Sequence, residues 1–279
     1  MTGEIASSVV LGDIAERAAR EAGAVAAEGF RSPGMAFETK NGFHDFVTEY
    51  DGRSEQRARA VIEQHLPGAH IVGEEEGASG QGEITWYIDP IDGTSNFARG
   101  IALWGVVIAA VRGDEVVAGV VYDPVADQLW RADERGAFLN GAALRARGMT
   151  VPERATVLAT FPPANTLVTR RIEKLEALAQ LADGFAHVRD LGSAAIALCY
   201  VATGWADANF GFNIHPWDVA APAFILRQAG GVYRSYGDGQ LLPESRDHHN
   251  SVYFGTVTDA DFPLIDAILR SQTRTDASV

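Results

Sequence analysis

Two aspartates stand three positions apart at the end of an apolar run, within residues 86–97. Asp89 and Asp92 would repel each other at neutral pH, which raises a pKa unless hydrogen-bond donors or a cation keep both carboxylates ionised. Mg²⁺ prefers oxygen ligands and keeps several waters, so a site made from these carboxylates and the backbone carbonyl of Ile91 suits it better than Zn²⁺. The segment therefore predicts a site for a hard divalent cation.

The next residues, Gly93, Thr94 and Ser95, are small or carry a hydroxyl group. If they begin a helix, their unpaired backbone N–H groups point at whatever lies beside the metal, and a phosphate suits that position. The alternative is that Asp92 and Thr94 only cap the helix. Further acids that belong to the same site would favour a metal site over a helix cap.

Glu74 and Asp51 are two such acids. Glu74 follows the apolar pair Ile71 and Val72, so a strand that ends there would direct it inward, although a run of three glutamates is also typical of a solvated loop. Asp51 lies on one side of residues 45–51 if that segment is extended; otherwise it is the N-cap of the following helix. Both acids are candidates for the same site.

Asp218 is the last candidate. It precedes a predicted helix within residues 215–221, so it is either a site residue or a plain cap. His215 and Trp217 beside it are more typical of packing residues than of catalysts.

The elements that must position these acids alternate between helical and strand periodicity. Apolar spacing predicts an amphipathic helix in the first 30 residues and another before the Pro67-Gly68 pair, with strands around the acids and a mixed second half. The predicted helices are 12–30, 53–65, 170–182, 191–202 and 219–229, and the predicted strands are 84–88, 103–111 and 116–122. Residues 148–153 lack periodicity and contain Pro152, so we expect a boundary there.

Composition excludes several classes of protein. The 279 residues are 47% hydrophobic, enough for a large core, and 23 Lys plus Arg against 37 Asp plus Glu give a net charge of −14. This charge repels polyanions, so no nucleic-acid partner is expected. The start of the chain lacks a secretory pattern, no apolar run approaches a membrane span, and Cys199 is the only cysteine, so we expect a cytoplasmic protein without membrane contact.

Taken in order, residues 45–51, 73–75, 86–97 and 217–231 resemble the inositol monophosphatase family of metal-dependent sugar and polyol phosphatases. The resemblance implies an α+β fold, a layered αβαβα sandwich of the sugar-phosphatase type that usually forms a homodimer. We expect two sub-domains: an N-terminal α+β domain (1–148) that carries most metal ligands, and a C-terminal α/β domain (149–279) that carries Asp218 and the substrate pocket.

The resemblance also implies a role for each candidate residue. Two Mg²⁺ ions per subunit would be held by Glu74, Asp89, Asp92, Asp218 and the Ile91 carbonyl, and Asp51 would help to hold a third. Thr94 and Glu74 would position the attacking water, which makes them catalytic together with Asp51. The phosphate would be bound by the backbone of residues 93–95 and by Lys40.

The substrate implied is a small phosphate monoester, with inositol 1-phosphate as the first candidate and with contacts to Asp92, Ser193, Ala194, Gly211 and Asp218. Inositol-type members carry a glutamate at the position of Gly211, so one contact to a ring hydroxyl is missing here. Residues 96–104 are similar to histidinol-phosphate phosphatases of the family, which makes histidinol phosphate the best rival. Fructose 1,6-bisphosphate and nucleotide 3'-phosphates follow, and a non-catalytic regulatory module is the alternative of a different class.

Overall fold

Two sheets alternate with three layers of helices in this chain. The computed structural model describes residues 6–33, 36–39, 46–163, 170–244, 246–258 and 260–274. The helices are α1 (Ser8–Gly29), α2 (Glu49–His65), α3 (Thr94–Ala98), α4 (Arg171–Gly184), α5 (Ala194–Thr203), α6 (Pro216–Gln228) and α7 (Pro263–Gln272). Within the described residues, none of these helices is both long and apolar enough to cross a membrane.

The larger sheet has eight strands, and it carries Asp89 and Asp92 on one strand with Glu74 directly after another. Its strands are β3 (His70–Gly73), β4 (Gly77–Ser79), β5 (Ile84–Asp92), β6 (Gly105–Arg112), β7 (Glu115–Asp123), β8 (Gln128–Asp133), β9 (Gly136–Leu139) and β10 (Ala142–Ala143), in the order β10-β9-β8-β7-β6-β5-β3-β4. Strands β3 and β5 are parallel, so their carboxyl ends meet at one edge of the sheet. Glu74 and Asp89 to Asp92 therefore come together at that edge.

The smaller sheet lies on the other side of the central helices. Its strands are β11 (Thr156–Ala159), β12 (His187–Arg189), β13 (Ala208–Phe212), β14 (Val232–Gly237), β15 (Gln240–Leu241) and β16 (Val252–Thr256), in the order β12-β11-β13-β16-β14-β15. A separate hairpin pairs β1 (Phe37–Thr39) with β2 (Phe46–Thr48).

Apolar faces fix the order of the layers. α1 and α2 cover the outer face of the larger sheet, where the small residues Ala15, Ala18 and Ala22 let the helix pack closely. α5 and α6 lie between the two sheets and share their core, while α4 and α7 cover the outside of the smaller sheet. The layered α+β sandwich expected from the sequence is confirmed.

Several predicted elements are shorter or longer than observed. The first two helices begin four residues earlier than predicted, and β5 continues through Asp92 rather than ending at Ile88. Residues 46–51 are not extended throughout, because β2 ends at Thr48 and α2 begins at Glu49. The strands of the smaller sheet, β8 and α7 were not predicted. The last strand of the larger sheet ends at Ala143 and the smaller sheet begins at Thr156; a division into domains at 148 stays a prediction.

Candidate metal centre

Three aspartates meet where β5 ends and α6 begins. Asp89, Asp92 and Asp218 each offer a carboxylate oxygen, and these oxygens all lie within 4.8 Å of one another. Asp89 and Asp92 are only 2% and 8% exposed. A register shift in the pairing of β5 with β6 falls between them, in a stretch that contains Pro90, which has no N–H group to donate to a neighbouring strand. This bulge lets both side chains reach the same site.

Backbone N–H groups fix the direction of each carboxylate. Ile91 N–H donates to Asp89 Oδ1 at 2.9 Å, Ala195 N–H donates to Asp92 Oδ2 at 2.8 Å, and His215 N–H donates to Asp218 Oδ2 at 2.6 Å. Ser193 Oγ also donates to Asp92 Oδ2. The starts of α5 and α6 thus hold Asp92 and Asp218 in place, where the positive ends of the helix dipoles favour negative charge. Asp218 is therefore inside the first turn of α6 and does not precede it.

Burial raises the pKa of all three carboxyl groups, and the neighbouring charges act in the same direction for Asp89 and Asp218. For Asp89 the charges are those of Glu74, Asp92 and Asp218, in that order. In the part of the chain that the structure describes, no arginine or lysine forms an ion pair with any of the three. Two buried aspartates and a half-buried one that repel each other fit a hard divalent cation, because Mg²⁺ prefers carboxylate oxygen ligands of this kind.

A cavity of about 280 Å³ opens beside the aspartates. Besides the three acids, its walls are formed by Glu74, Ile91, Gly93, Thr94, Thr160, Gly192, Ser193, Ala194, Gly211, Phe212, Ile214 and Tyr253. Most of the residues predicted from the sequence therefore share one cavity. Asp51 and Ser95 are not in its walls, and Lys40 lies outside the described residues.

Asp51 contacts the cavity through Thr94. Thr94 Oγ lies 3.2 Å from Asp51 Oδ1 and 3.0 Å from the Ile91 carbonyl, and is placed to donate to either. Thr48 donates to Asp51 Oδ2 from its backbone N–H at 2.8 Å and from its hydroxyl at 2.6 Å. Asp51 is thus the third residue of α2 in a capping box with Thr48, and Thr48, not Asp51, is the N-cap.

Tyr253 is a cavity residue that the sequence did not indicate. It stands directly opposite Gly211 in the pairing of β13 with β16, and a Cβ atom on Gly211 would lie 2.7 Å from Tyr253 Cε1. The ring therefore occupies the space that a side chain at position 211 would need. Tyr253 Oη donates to Asn209 Oδ1 at 2.6 Å, which holds the ring in place. Only the pairing of two strands that were not predicted would have identified it.

A layered sandwich in which two buried aspartates of one strand and a half-buried aspartate of a helix meet beside a small cavity defines a metal-binding α+β protein. The chain belongs to the inositol monophosphatase family, whose sequence profile matches residues 10–259. Members of this family are Mg²⁺-dependent phosphatases of small phosphate monoesters. The resemblance drawn from the sequence is confirmed.

Named relatives are similar over most of the chain. The protein is 36% identical to the fructose-1,6-bisphosphatase/inositol-1-monophosphatase of Aquifex aeolicus, over 81% of this chain and 86% of the relative. It is 35% identical to the Nus factor SuhB of Escherichia coli (strain K12), over 92% of this chain and 93% of the relative. Among solved structures, the inositol monophosphatase of Anabaena superposes with a TM-score of 0.73 at 29% identity, covering 94% of each chain.

Proposed function

We propose that this protein hydrolyses a small polyol or sugar phosphate with Mg²⁺, and that inositol 1-phosphate is the first candidate substrate. The observation that carries the proposal is the set of three aspartates, two buried and one half-buried, that lack an arginine or lysine partner in the described part of the chain and face a cavity of about 280 Å³. A cavity of this size is small for a drug-like ligand and matches a small phosphate monoester.

The ligands follow from the cavity walls. Asp89, Asp92, Asp218, Glu74 and the Ile91 carbonyl would hold two Mg²⁺ ions. When bound, Mg²⁺ neutralises charge on phosphoryl oxygens and lowers the pKa of a water so that it becomes a nucleophile at neutral pH. The direct hydrogen bonds of Asp51 to Thr48 and Thr94 support a different role for that residue, as the partner of Thr94.

Thr94 and Glu74, which both line the cavity, would position the attacking water. When the Thr94 hydroxyl donates its hydrogen bond to Asp51, its oxygen can still accept one. It can therefore accept a hydrogen bond from a water in the cavity. Backbone N–H groups of residues 93–95 would bind the phosphate; Gly93 suits this turn because its φ of +96° is accessible mainly to glycine.

The leaving group would lie against Gly211, Phe212 and Tyr253. Because the Tyr253 ring covers Gly211, this wall has an aromatic face where inositol-type members carry a glutamate. The Phe161 ring lies 5.9 Å from that of Phe212 and extends the aromatic surface. This wall supports substrates with an apolar face or planar group, so histidinol phosphate remains the main rival to inositol 1-phosphate.

The test is release of inorganic phosphate from a panel of substrates, with Mg²⁺ or with a chelator. The panel holds inositol 1-phosphate, histidinol phosphate, fructose 1,6-bisphosphate, a nucleotide 3'-phosphate and glycerol 2-phosphate. We expect Mg²⁺-dependent release with one substrate far ahead of the others. Release that persists in chelator would contradict the proposed metal dependence.

A regulatory role is the second candidate. The observation that favours it is the 35% identity to a protein named Nus factor SuhB over 92% of this chain. Absence of phosphate release from the whole panel, together with Mg²⁺ binding that stabilises the fold, would favour this alternative over catalysis.

A further inference from the structure

A buried glutamate of α2 binds the backbone directly after Glu74. Glu55 is fully buried, at 0% exposure. Its Oε2 accepts the backbone N–H of Glu75 at 2.7 Å, and its Oε1 accepts that of Glu76 at 3.1 Å. Two consecutive N–H groups that directly follow Glu74 are thus bound to a single carboxylate.

Arg59 completes this contact one turn further along α2. Its Nε donates to Glu55 Oε1 at 2.7 Å, one terminal nitrogen donates to Ser79 Oγ at 2.9 Å, and the other donates to the Gly77 carbonyl. Only 9% of Arg59 is exposed. The guanidinium therefore neutralises Glu55 and joins it to β4, the strand that follows the Glu74 segment.

Glu55 packs so closely against Gly73 that no side chain fits at that position. A Cβ atom on Gly73 would overlap the Glu55 carboxylate, so only glycine allows this approach. On the opposite side, Glu74 N–H donates to the Ile88 carbonyl of β5 at 3.2 Å. The backbone of Glu74 is thus fixed between α2 and the strand that carries Asp89.

Three residues on one face of α2 hold the two halves of the site together. Asp51, Glu55 and Arg59 are spaced by four positions, so they lie along one side of the helix. Asp51 contacts Thr94 after β5, whereas Glu55 and Arg59 contact the segment after β3. Because one helix contacts both segments, it helps the β3–β5 pairing to fix how far Glu74 lies from the aspartates.

We propose that Glu55, supported by Arg59, is a positioning residue that sets the Glu74 carboxylate for metal binding. The inference rests on the proposed function, because Glu74 is a metal ligand only there. Outer partners that orient ligands commonly change metal affinity tenfold to a hundredfold when they are removed. Neither residue lies in the walls of the cavity, so neither contacts the substrate directly.

The experiment compares Glu55→Gln and Arg59→Met with the wild type. Mn²⁺ binding without substrate is measured by isothermal titration calorimetry, and the Mg²⁺ concentration for half-maximal phosphate release is measured separately. We expect the Kd for Mn²⁺ and the Mg²⁺ requirement to rise about tenfold in both variants, while KM at saturating Mg²⁺ stays within about twofold. Mn²⁺ binding remains a test even if the wild type releases no phosphate, which would overturn the proposed function alone.

Arg59→Met separates positioning from a simple effect of charge. Loss of the Glu55 charge would weaken cation binding through the electric field alone, but loss of the Arg59 charge would strengthen it. Positioning predicts weaker binding in both. If Arg59→Met does not fold, Arg59→Lys preserves the charge and removes the planar fork, so positioning predicts weaker binding and a field effect predicts no change.

Asp133→Asn is the matched control. Asp133 is also fully buried and bound to arginine, but it lies on β8 and not in the cavity. We expect this control to lower Tm and leave the Kd for Mn²⁺ unchanged. The proposal is overturned if Glu55→Gln behaves like the control, or if Arg59→Met binds Mn²⁺ more tightly than the wild type.

Discussion

Two buried aspartates of the larger sheet have opposite surroundings. Asp133 on β8 is 0% exposed, and Asp92 at the end of β5 is 8% exposed. Burial alone would raise the pKa of Asp133, but hydrogen bonds from Arg135 and Arg131 outweigh it and the pKa is lowered. Burial raises the pKa of Asp92 despite its hydrogen bonds from Ser193 and Ala195.

The difference lies in where the opposite charge comes from. Asp133 has guanidinium nitrogens of Arg131 and Arg135 at 3.0 Å and 2.7 Å, so its charge is balanced within the chain. Among the described residues, the donors to Asp92 are a hydroxyl and backbone N–H groups, and Asp92 stands beside two more carboxylates. A buried acid with its own arginine has its charge balanced within the fold, whereas acids that share a site without one must take up protons or bind a cation from solution.

The largest expected effect is the loss of activity on substitution of Asp92, the aspartate without an arginine partner in the described residues. Asp92→Asn removes a charge that the proposed metals need, at nearly constant volume, so we expect kcat/KM to fall at least about a thousandfold. The Tm of the metal-free protein should stay equal or rise, because one source of repulsion is gone. Phosphate release and thermal unfolding measure the two effects. A variant with wild-type turnover would rule out this site assignment.

Substitution of Asp133, whose charge two arginines balance, should lower stability and leave activity unchanged. Asp133→Asn leaves the Arg131 and Arg135 side chains without their buried partner, so we expect the free energy of unfolding to fall by about 3 kcal/mol. Urea unfolding measures this loss. Mg²⁺-dependent turnover per folded molecule should not change, and a change in the Mg²⁺ requirement would mean that the two acidic regions are coupled.

The three aspartates of the cavity should make the metal-free fold less stable as pH rises, whereas Asp133, whose pKa is lowered, acts in the opposite direction. Because the folded-state pKa values of Asp89, Asp92 and Asp218 are raised, the metal-free fold binds protons more tightly than the unfolded chain. These groups therefore destabilise the fold as pH rises above about 4 toward their folded-state pKa values. Bound Mg²⁺ removes this loss, so its gain in Tm should be about 5 °C larger at pH 8 than at pH 5. Thermal scans with Mg²⁺ or EDTA test this, and equal gains would contradict it.

The smallest expected loss of stability is at Asp207, a buried aspartate held by backbone N–H groups. It is 7% exposed and accepts backbone N–H groups of Met149 at 2.6 Å and Thr156 at 2.7 Å, at the junction before the smaller sheet. We expect Asp207→Asn to cost about 1 to 2 kcal/mol, because one acceptor oxygen is lost while no ion pair is broken. Urea unfolding measures the cost. A loss as large as that of Asp133→Asn would show that the arginines are not the source of the difference.

The sequence predicted the local parts of the site and missed those that depend on long-range pairing. Asp89, Asp92 and Glu74 could be assigned because each directly follows an apolar run. Tyr253 could not, because its position depends on the register of β13 against β16, which no local pattern specifies. Glu55 was missed for a similar reason, since a charged residue within a helix is typical of a solvated face and only the fold brings it against Gly73.

Asp51 and Asp218 have the same place at the start of their helices. Each lies in the first turn and accepts the backbone N–H group of the N-cap residue, Thr48 for Asp51 and His215 for Asp218. Such contacts stabilise the helix start whatever the site does. The cap on α6 therefore offsets part of the repulsion between Asp218 and the neighbouring carboxylates, so one side chain both strengthens a helix and serves as a candidate metal ligand.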